Sequence, residues 1–302
     1  MPGRLSTLAG AALVLFVLRD VFHTLWHPTR HGGLSRLVMM SLWRLSALVG
    51  AGRRPAGLAG PVGVVAVFAV WALTVSVGWA LVYWPYMPRD FSYAAGLAPE
   101  EHAGPVDARY LSLVTLATLG LGDIAPASDL LRVLAPMEAL VGFVLLSATV
   151  AWILGIYPAL ARRRALALRL SHVRRSRAPA QALDSDGGAA LLDGLAAALA
   201  TITVDFQQYP ESYYVCDGDE NTSLPAQLGF TVGLADRAAR ARHPDVRLSA
   251  SVLRTALGDL AAVVDERFLR TGATAGEVFS AYAGDHGRPA GPDGPRRSGG
   301  SG

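Results

Sequence analysis

Long apolar segments alternate with arginine-rich segments along the first 180 residues of the chain. Residues 61–86 carry no charged side chain and end in tryptophans and tyrosines, a pattern typical of a membrane helix at its outer interface. Residues 128–157 form a second apolar segment, which as a helix would be about 45 Å long and exceed the hydrocarbon core. Both segments are predicted to span a bilayer, the first one from inside to outside.

Residues 1–27 form a further candidate span, whose second half carries polar side chains. Asp20, His23 and His27 are spaced to lie on one helical face, and the two histidines alone have the i, i+4 spacing that can hold a metal. The first interpretation is a polar helix end at the membrane interface, hydrated or paired with Arg19. A metal site or proton sensor is the alternative.

Two basic segments set the predicted topology. Residues 28–60 contain five arginines and no acid, with apolar residues at helical spacing, which predicts a cytoplasmic loop with a helix on the membrane surface. Residues 158–186 are predicted to be a basic linker, with seven arginines after the apolar segment at 128–157. These arginines place the C-terminus in the cytoplasm and are candidates for binding anionic lipid.

The composition changes from residue 187 onward. Residues 187–286 contain helical patterns and are predicted to form a cytosolic helical domain. Within it, residues 189–204 are apolar but short and contain an aspartate, which favours a buried helix over a membrane span. Residues 287–302 consist largely of Gly, Pro, Arg and Ser and are predicted to be disordered.

Composition narrows the possible functions. Of the 302 residues 52% are hydrophobic and only 17% charged, and the mean hydropathy of +0.33 points to a membrane protein rather than an ordinary soluble enzyme. The chain contains no lysine, and its arginines cluster beside apolar segments, so they indicate membrane topology and not a nucleic-acid surface. Cys216 is the only cysteine, which excludes an intrachain disulfide.

The most informative stretch is Thr118–Asp123, which reads Thr-Leu-Gly-Leu-Gly-Asp and follows a short apolar segment too short to span a bilayer. Glycines at alternate positions allow backbone conformations in which successive carbonyl oxygens face one axis. Four such strands can replace the water shell of a monovalent cation. The stretch resembles the selectivity filter of the potassium channel pore-loop family, usually T-V-G-Y-G-D. A glycine turn between ordinary membrane helices is the alternative.

This resemblance implies an all-α membrane protein with a pore module at residues 61–157. The module would comprise an outer helix at 61–86, a pore helix and filter at 108–123, and an inner helix at 128–157. Since one chain has a single filter strand, the resemblance also implies a homotetramer with transported K⁺ in the filter and no other cofactor. The filter residues would be Thr118, Leu119, Gly120, Leu121, Gly122 and Asp123.

The stretch departs from the family pattern at Leu121, where tyrosine is usual. Leucine has no hydroxyl to brace the filter, and Tyr110-Leu111 replaces an aromatic pair that is often found on the pore helix. A weakly selective monovalent cation channel is therefore a second interpretation.

The resemblance also assigns roles on the inner helix. Gly142 falls at the usual hinge position, and one helical face would line the cavity and gate the pore, although lipid contact is the alternative; this face comprises Phe143, Leu146, Val150 and Leu154. Glu138 either braces the pore helix through Ser112 or Thr115, or faces the cavity and attracts cations.

The sequence therefore predicts a passive, potassium-conducting channel and not an enzyme, in the cell membrane with several spans. A membrane protein that senses metal or another signal without conducting ions is the alternative from a different class.

Overall fold

The computed structural model describes residues 2–26, 33–34, 37–38, 40–42, 59–177 and 180–289. These residues are mostly helical and fall into two compact units. The first unit holds the described residues of 1–40 and 63–154, and the second holds those of 41–62 and 155–302. Most of the predicted basic loop at 28–60 and the predicted disordered tail at 287–302 lie outside the described residues.

The first unit combines three long helices with a short one. The elements in chain order are α1 (Pro2–Trp26), α2 (Ala59–Tyr83), β1 (Phe91–Tyr93), α3 (Pro105–Leu116), β2 (Ile124–Pro126) and the start of α4 (Asp129–Ser176). By length and composition, α1, α2 and α4 could each cross a membrane, as predicted. The short helix α3 and the filter stretch stand between α2 and α4 in the chain.

The second unit is built from helices that follow α4. They are α5 (Ala180–Leu183), α6 (Asp186–Gln208), α7 (Leu224–Ala238), α8 (Pro244–Val264) and α9 (Ala275–Asp285). Helix α6 also has the length and composition of a membrane span. Its apolar face, however, packs into a core shared with α7, α8 and α9, as expected for the buried helix predicted at 189–204.

The prediction of a basic linker at 158–186 is wrong in its first part, because α4 continues as one helix to Ser176. Leu166, Ala167 and Leu170 recur at helical spacing and are buried in the core of the second unit. The arginines that suggested a linker lie between these apolar positions. The charge of this segment predicted a linker, whereas the helical spacing of its apolar residues accounts for the structure.

Three consecutive arginines of α4 contact other parts of the second unit. Arg163 is buried, and its guanidinium donates to the carbonyl oxygens of Ser212 and Val215 and to Asp217. Arg164 donates to the same carboxylate at 2.6 Å. Arg162 likewise forms a bidentate pair with Asp205. These three side chains therefore bind protein acceptors, which removes them from the cluster predicted to bind anionic lipid.

Helices α1 and α2 pack closely through two glycines. A Cβ atom on Gly10 would lie 2.3 Å from the carbonyl oxygen of Gly78, and one on Gly78 would lie 2.7 Å from the Val14 side chain. Ser6 donates to the carbonyl oxygen of Leu81 at 2.8 Å, so the two helices run antiparallel. Small residues at a helix crossing allow this close approach in membranes.

We expect Gly10→Leu to lower the melting temperature of the full-length protein in detergent. The added side chain must displace the α2 backbone, and overpacking typically costs about 1–3 kcal/mol. Ala12→Leu is the matched control, since Ala12 is exposed on the same helix. Equal melting temperatures for the two variants, measured by thermal unfolding, would contradict the close crossing of α1 and α2.

Candidate functional site

The filter stretch has an alternating backbone conformation. The φ angles are +57° at Thr118, +55° at Gly120 and +77° at Gly122, whereas Leu119 and Leu121 between them do not have positive φ. Alternation between left-handed and ordinary conformations turns successive peptide groups the same way. Thr118 is a non-glycine residue in a region that such residues rarely adopt, and strain of this kind is concentrated at functional sites.

The inner end of the filter is fastened to the pore helix α3. The backbone N–H of Thr118 donates to the carbonyl oxygen of Thr115, and that of Leu119 to the carbonyl oxygen of Val114, both at 2.9 Å. Within the described chain, no hydrogen bond reaches the carbonyl oxygens of 118–121. The filter is therefore held through its N–H groups, and its carbonyl oxygens remain available as ligands.

The outer end of the filter is fastened by a short antiparallel β-ribbon. Strands β1 and β2 pair Phe91 with Pro126 and Tyr93 with Ile124. Beyond the ribbon, the N–H of Ala94 donates to the carbonyl oxygen of Asp123 at 2.8 Å. Sequence reasoning did not find these strands, because three residues are too few to show an alternating pattern.

Tyr110 braces the filter from the pore helix. Its hydroxyl donates to Asp123 Oδ2 at 2.6 Å. This hydrogen bond lowers the pKa of the Asp123 carboxyl, which keeps the carboxylate charged at neutral pH. From the sequence, Tyr110 counted only as a departure from the usual aromatic pair, yet it supplies the hydroxyl that Leu121 lacks.

Leu121 itself lies at the edge of an open space. Its side chain is 61% exposed in the single chain and lines a cavity of about 470 Å³, together with Thr115, Pro136 and Ala139. Within the described residues of the single chain, therefore, nothing fills the space beside position 121.

Glu138 connects three helices. Its carboxylate is fully buried and accepts hydrogen bonds from Ser112 Oγ at 2.5 Å and from the Tyr83 hydroxyl at 2.6 Å. The structure therefore supports a brace to Ser112 rather than to Thr115, and it places Glu138 away from a position facing the cavity. The contribution of Tyr83 was not predicted, since nothing in the spacing of α2 marks that tyrosine.

Gly142 is a point of close approach between α4 and α3. A Cβ atom there would lie 1.9 Å from the carbonyl oxygen of Leu116, the last residue of the pore helix. Glycine is thus required here for packing, and a hinge at this position remains a prediction. The predicted cavity face is exposed in the single chain, as expected for residues that contact a cavity, lipid or another subunit; it comprises Phe143, Leu146, Val150 and Leu154.

Asp20, one of the candidate metal ligands of α1, makes structural hydrogen bonds instead. This side chain is 5% exposed and accepts hydrogen bonds from Trp71 Nε1 at 2.9 Å and from the Leu34 N–H at 3.1 Å. Arg19 Nε donates to His23 Nε2 at 3.5 Å. His27 lies outside the described residues.

Elsewhere in the described chain, potential metal ligands approach one another in the second unit. Asp186, His243 and Asp245 have ligand atoms within 4.8 Å of one another at the starts of α6 and α8. Both acids are exposed at helix N-termini, where carboxylates stabilise the helix without a metal.

Comparison with known proteins supports the channel resemblance. Residues 64–157 match the sequence pattern of a family described as ion channels, which confirms the resemblance found at the filter. The chain is also 25% identical over 170 residues to the uncharacterized membrane protein YdjJ of Bacillus subtilis (strain 168). That match covers 55% of this chain and 49% of the relative, so the chain spans about half the relative's length. No solved structure matches.

We expect Ser112→Ala to destabilise the full-length protein more than Thr115→Ala does. Loss of the Ser112 hydroxyl leaves the buried carboxyl group of Glu138 without one of its hydrogen-bond partners, and an unsatisfied buried polar group costs about 1–3 kcal/mol. Thermal unfolding in detergent measures the difference. A larger effect of Thr115→Ala would contradict the brace seen here.

Proposed function

We propose that the protein is a passive, potassium-conducting channel whose filter is Thr118–Asp123. The observation that carries the proposal is the alternating backbone at 118, 120 and 122, with carbonyl oxygens that accept no hydrogen bond from the described chain. Rings of backbone carbonyls replace the hydration shell of a large monovalent cation without a cofactor. The similarity of residues 64–157 to ion channels supports transport rather than catalysis.

A homotetramer in the cell membrane completes the proposed pore. One chain supplies a single filter strand, so four chains are needed around the axis. Large apolar side chains exposed at the filter and along α4 fit this arrangement, since neighbouring subunits and lipid would cover them; Leu119 and Leu154 are examples. By the positive-inside rule, the arginines after the inner span place the C-terminus in the cytoplasm.

Selectivity for potassium over sodium is the finer part of the proposal. A filter held at both ends keeps its carbonyl oxygens at fixed spacing, and the Tyr110–Asp123 hydrogen bond supports the outer end. A weakly selective cation channel remains the second candidate, favoured by the leucine at position 121. For a metal sensor built on α1, Asp20 already accepts hydrogen bonds from Trp71 and Leu34, and the second histidine lies outside the described residues.

The proposal predicts that Gly120→Ala abolishes potassium current while the protein still inserts and assembles. Alanine disfavours the left-handed conformation that Gly120 adopts at φ +55°, so the carbonyl ladder would be distorted. Single-channel recording in planar bilayers measures the current, and native mass spectrometry measures the tetramer.

Gly96→Ala is the matched control for this experiment. Gly96 also has a positive φ, +99°, but lies in the external segment outside the filter. The Gly96→Ala variant should therefore conduct like the wild type. Undiminished current through Gly120→Ala would place the ion path elsewhere, and a wild-type protein that runs as a monomer in native lipid would refute the shared pore.

A second prediction concerns the brace of the filter. Tyr110→Phe keeps the ring and removes the hydroxyl that binds Asp123, so we expect the potassium-to-sodium permeability ratio to fall several-fold. Bi-ionic reversal potentials measure this ratio. Tyr93→Phe is the control, because its hydroxyl donates to the His102 carbonyl oxygen in the external segment. If both variants select ions like the wild type, the brace has no role in selectivity.

A further inference from the structure

The second unit contains a cavity of about 700 Å³ that the channel function does not use. It lies among the last turn of α4, helices α5 to α7 and the loop after α7. Its floor is apolar and its rim is basic. The floor comprises Leu183, Leu191, Phe230 and Leu234, and the rim carries Arg174, Arg177, Arg237, Arg240 and Arg242.

The charge of this cavity is unbalanced. Asp184 is the single acid in its wall, opposite five arginines. The Asp184 carboxylate already accepts hydrogen bonds from the backbone N–H groups of Arg242 at 3.1 Å and His243 at 2.7 Å. These bonds lower the pKa of the Asp184 carboxyl, so this group is charged. Both of its oxygens are already bonded to the loop between α7 and α8.

The five arginines of the rim differ in the contacts that their guanidinium groups make. Arg174 contacts Glu220 at 3.3 Å, and the Arg237 guanidinium lies 5.7 Å from the centre of the Phe230 ring. The guanidinium groups of Arg177 and Arg240 make no hydrogen bond to a side chain or carbonyl in the part of the chain that the structure describes. Two forked donors therefore face a concave surface with an excess of positive charge.

We propose that this cavity binds a soluble organic phosphate, namely a phosphate group carried on an apolar or aromatic body, as in a nucleotide. A guanidinium group can bind two phosphate oxygens through two parallel N–H donors. Several guanidinium groups together favour an anion with more than one charge. The apolar floor accommodates the organic part, since ligand sites combine apolar walls with a few placed polar groups. A volume of about 700 Å³ is in the range of small-molecule sites.

The position of the cavity along α4 favours a soluble ligand over a lipid headgroup. The predicted span ends at Tyr157, and Val173 in the cavity wall lies sixteen residues further along the same helix. At 1.5 Å per residue this is about 24 Å. The polar region of a bilayer is only about 5–8 Å thick on each side. A headgroup held in the membrane is therefore too far away.

The proposal is tested by isothermal titration calorimetry on the full-length protein in detergent, with ATP and inorganic pyrophosphate as probes. We expect both to bind, ATP more tightly because of its organic part. Arg177→Gln and Arg240→Gln should each weaken ATP binding about tenfold, the value of one charge-assisted hydrogen bond. Phe230→Ser should weaken binding of ATP but not of pyrophosphate.

Arg175→Gln is the matched control, because it removes the same charge two residues before Arg177 but Arg175 does not line the cavity. It should bind ATP like the wild type, and unchanged thermal unfolding shows that a variant is folded. Absence of binding for both probes overturns the proposal, as does equal weakening in Arg175→Gln. If pyrophosphate binds and ATP does not, the proposal that the apolar floor binds an organic group is wrong. Capture by phosphatidylglycerol vesicles without ATP binding, lost in Arg177→Gln, would assign the site to lipid. None of these outcomes depends on ion conduction.

Discussion

A backbone that offers its carbonyl oxygens to an ion must be held in place by other groups. In this protein the stretch proposed as the filter is held through N–H groups at its start, where Thr118 and Leu119 donate to carbonyl oxygens of α3. At its outer end, a β-ribbon and the Tyr110 hydroxyl fix Asp123. The features around the filter serve this constraint: a short helix that ends beside it, a ribbon that follows it, and two long helices that support the short one.

The support for the pore helix depends on a buried acidic side chain, Glu138, and on the absence of a side chain at Gly142. Glu138 links α4 to Ser112 on the pore helix and to Tyr83 on α2. A buried acid is costly unless its oxygens are bonded, so both hydroxyls are needed. Gly142 allows α4 to approach the carbonyl group of Leu116, the residue at which the pore helix ends. Both contacts fix the position from which the filter begins.

The second unit uses α4 in another way. The helix continues past the predicted membrane span, buries Leu166 and Leu170 in the core, and binds acceptors of the unit through Arg163 and its neighbours. The two terminal nitrogens of the buried Arg163 guanidinium donate to Ser212, Val215 and Asp217, which ties this part of the helix to the segment around Asp217. The arginine-rich cavity at the end of α4 adds a surface on which an anion could act. Arginines that look alike in the sequence therefore have different surroundings: some pair with acceptors inside the second unit, and others line the basic cavity.

The sequence by itself determined the membrane class, the apolar segments of the long helices and the filter stretch. These depend on local properties, namely length, hydropathy and the spacing of glycines within six residues, which are visible without a fold. The tertiary structure decided the partners: Tyr110 for Asp123, Tyr83 for Glu138, Trp71 for Asp20, and protein carboxylates for the three consecutive arginines 162–164. Such pairs join residues 13 to 55 positions apart, and no periodicity relates them. Only the packing of helices brings each donor to its acceptor, because an unpaired polar group in a buried position is too costly to leave.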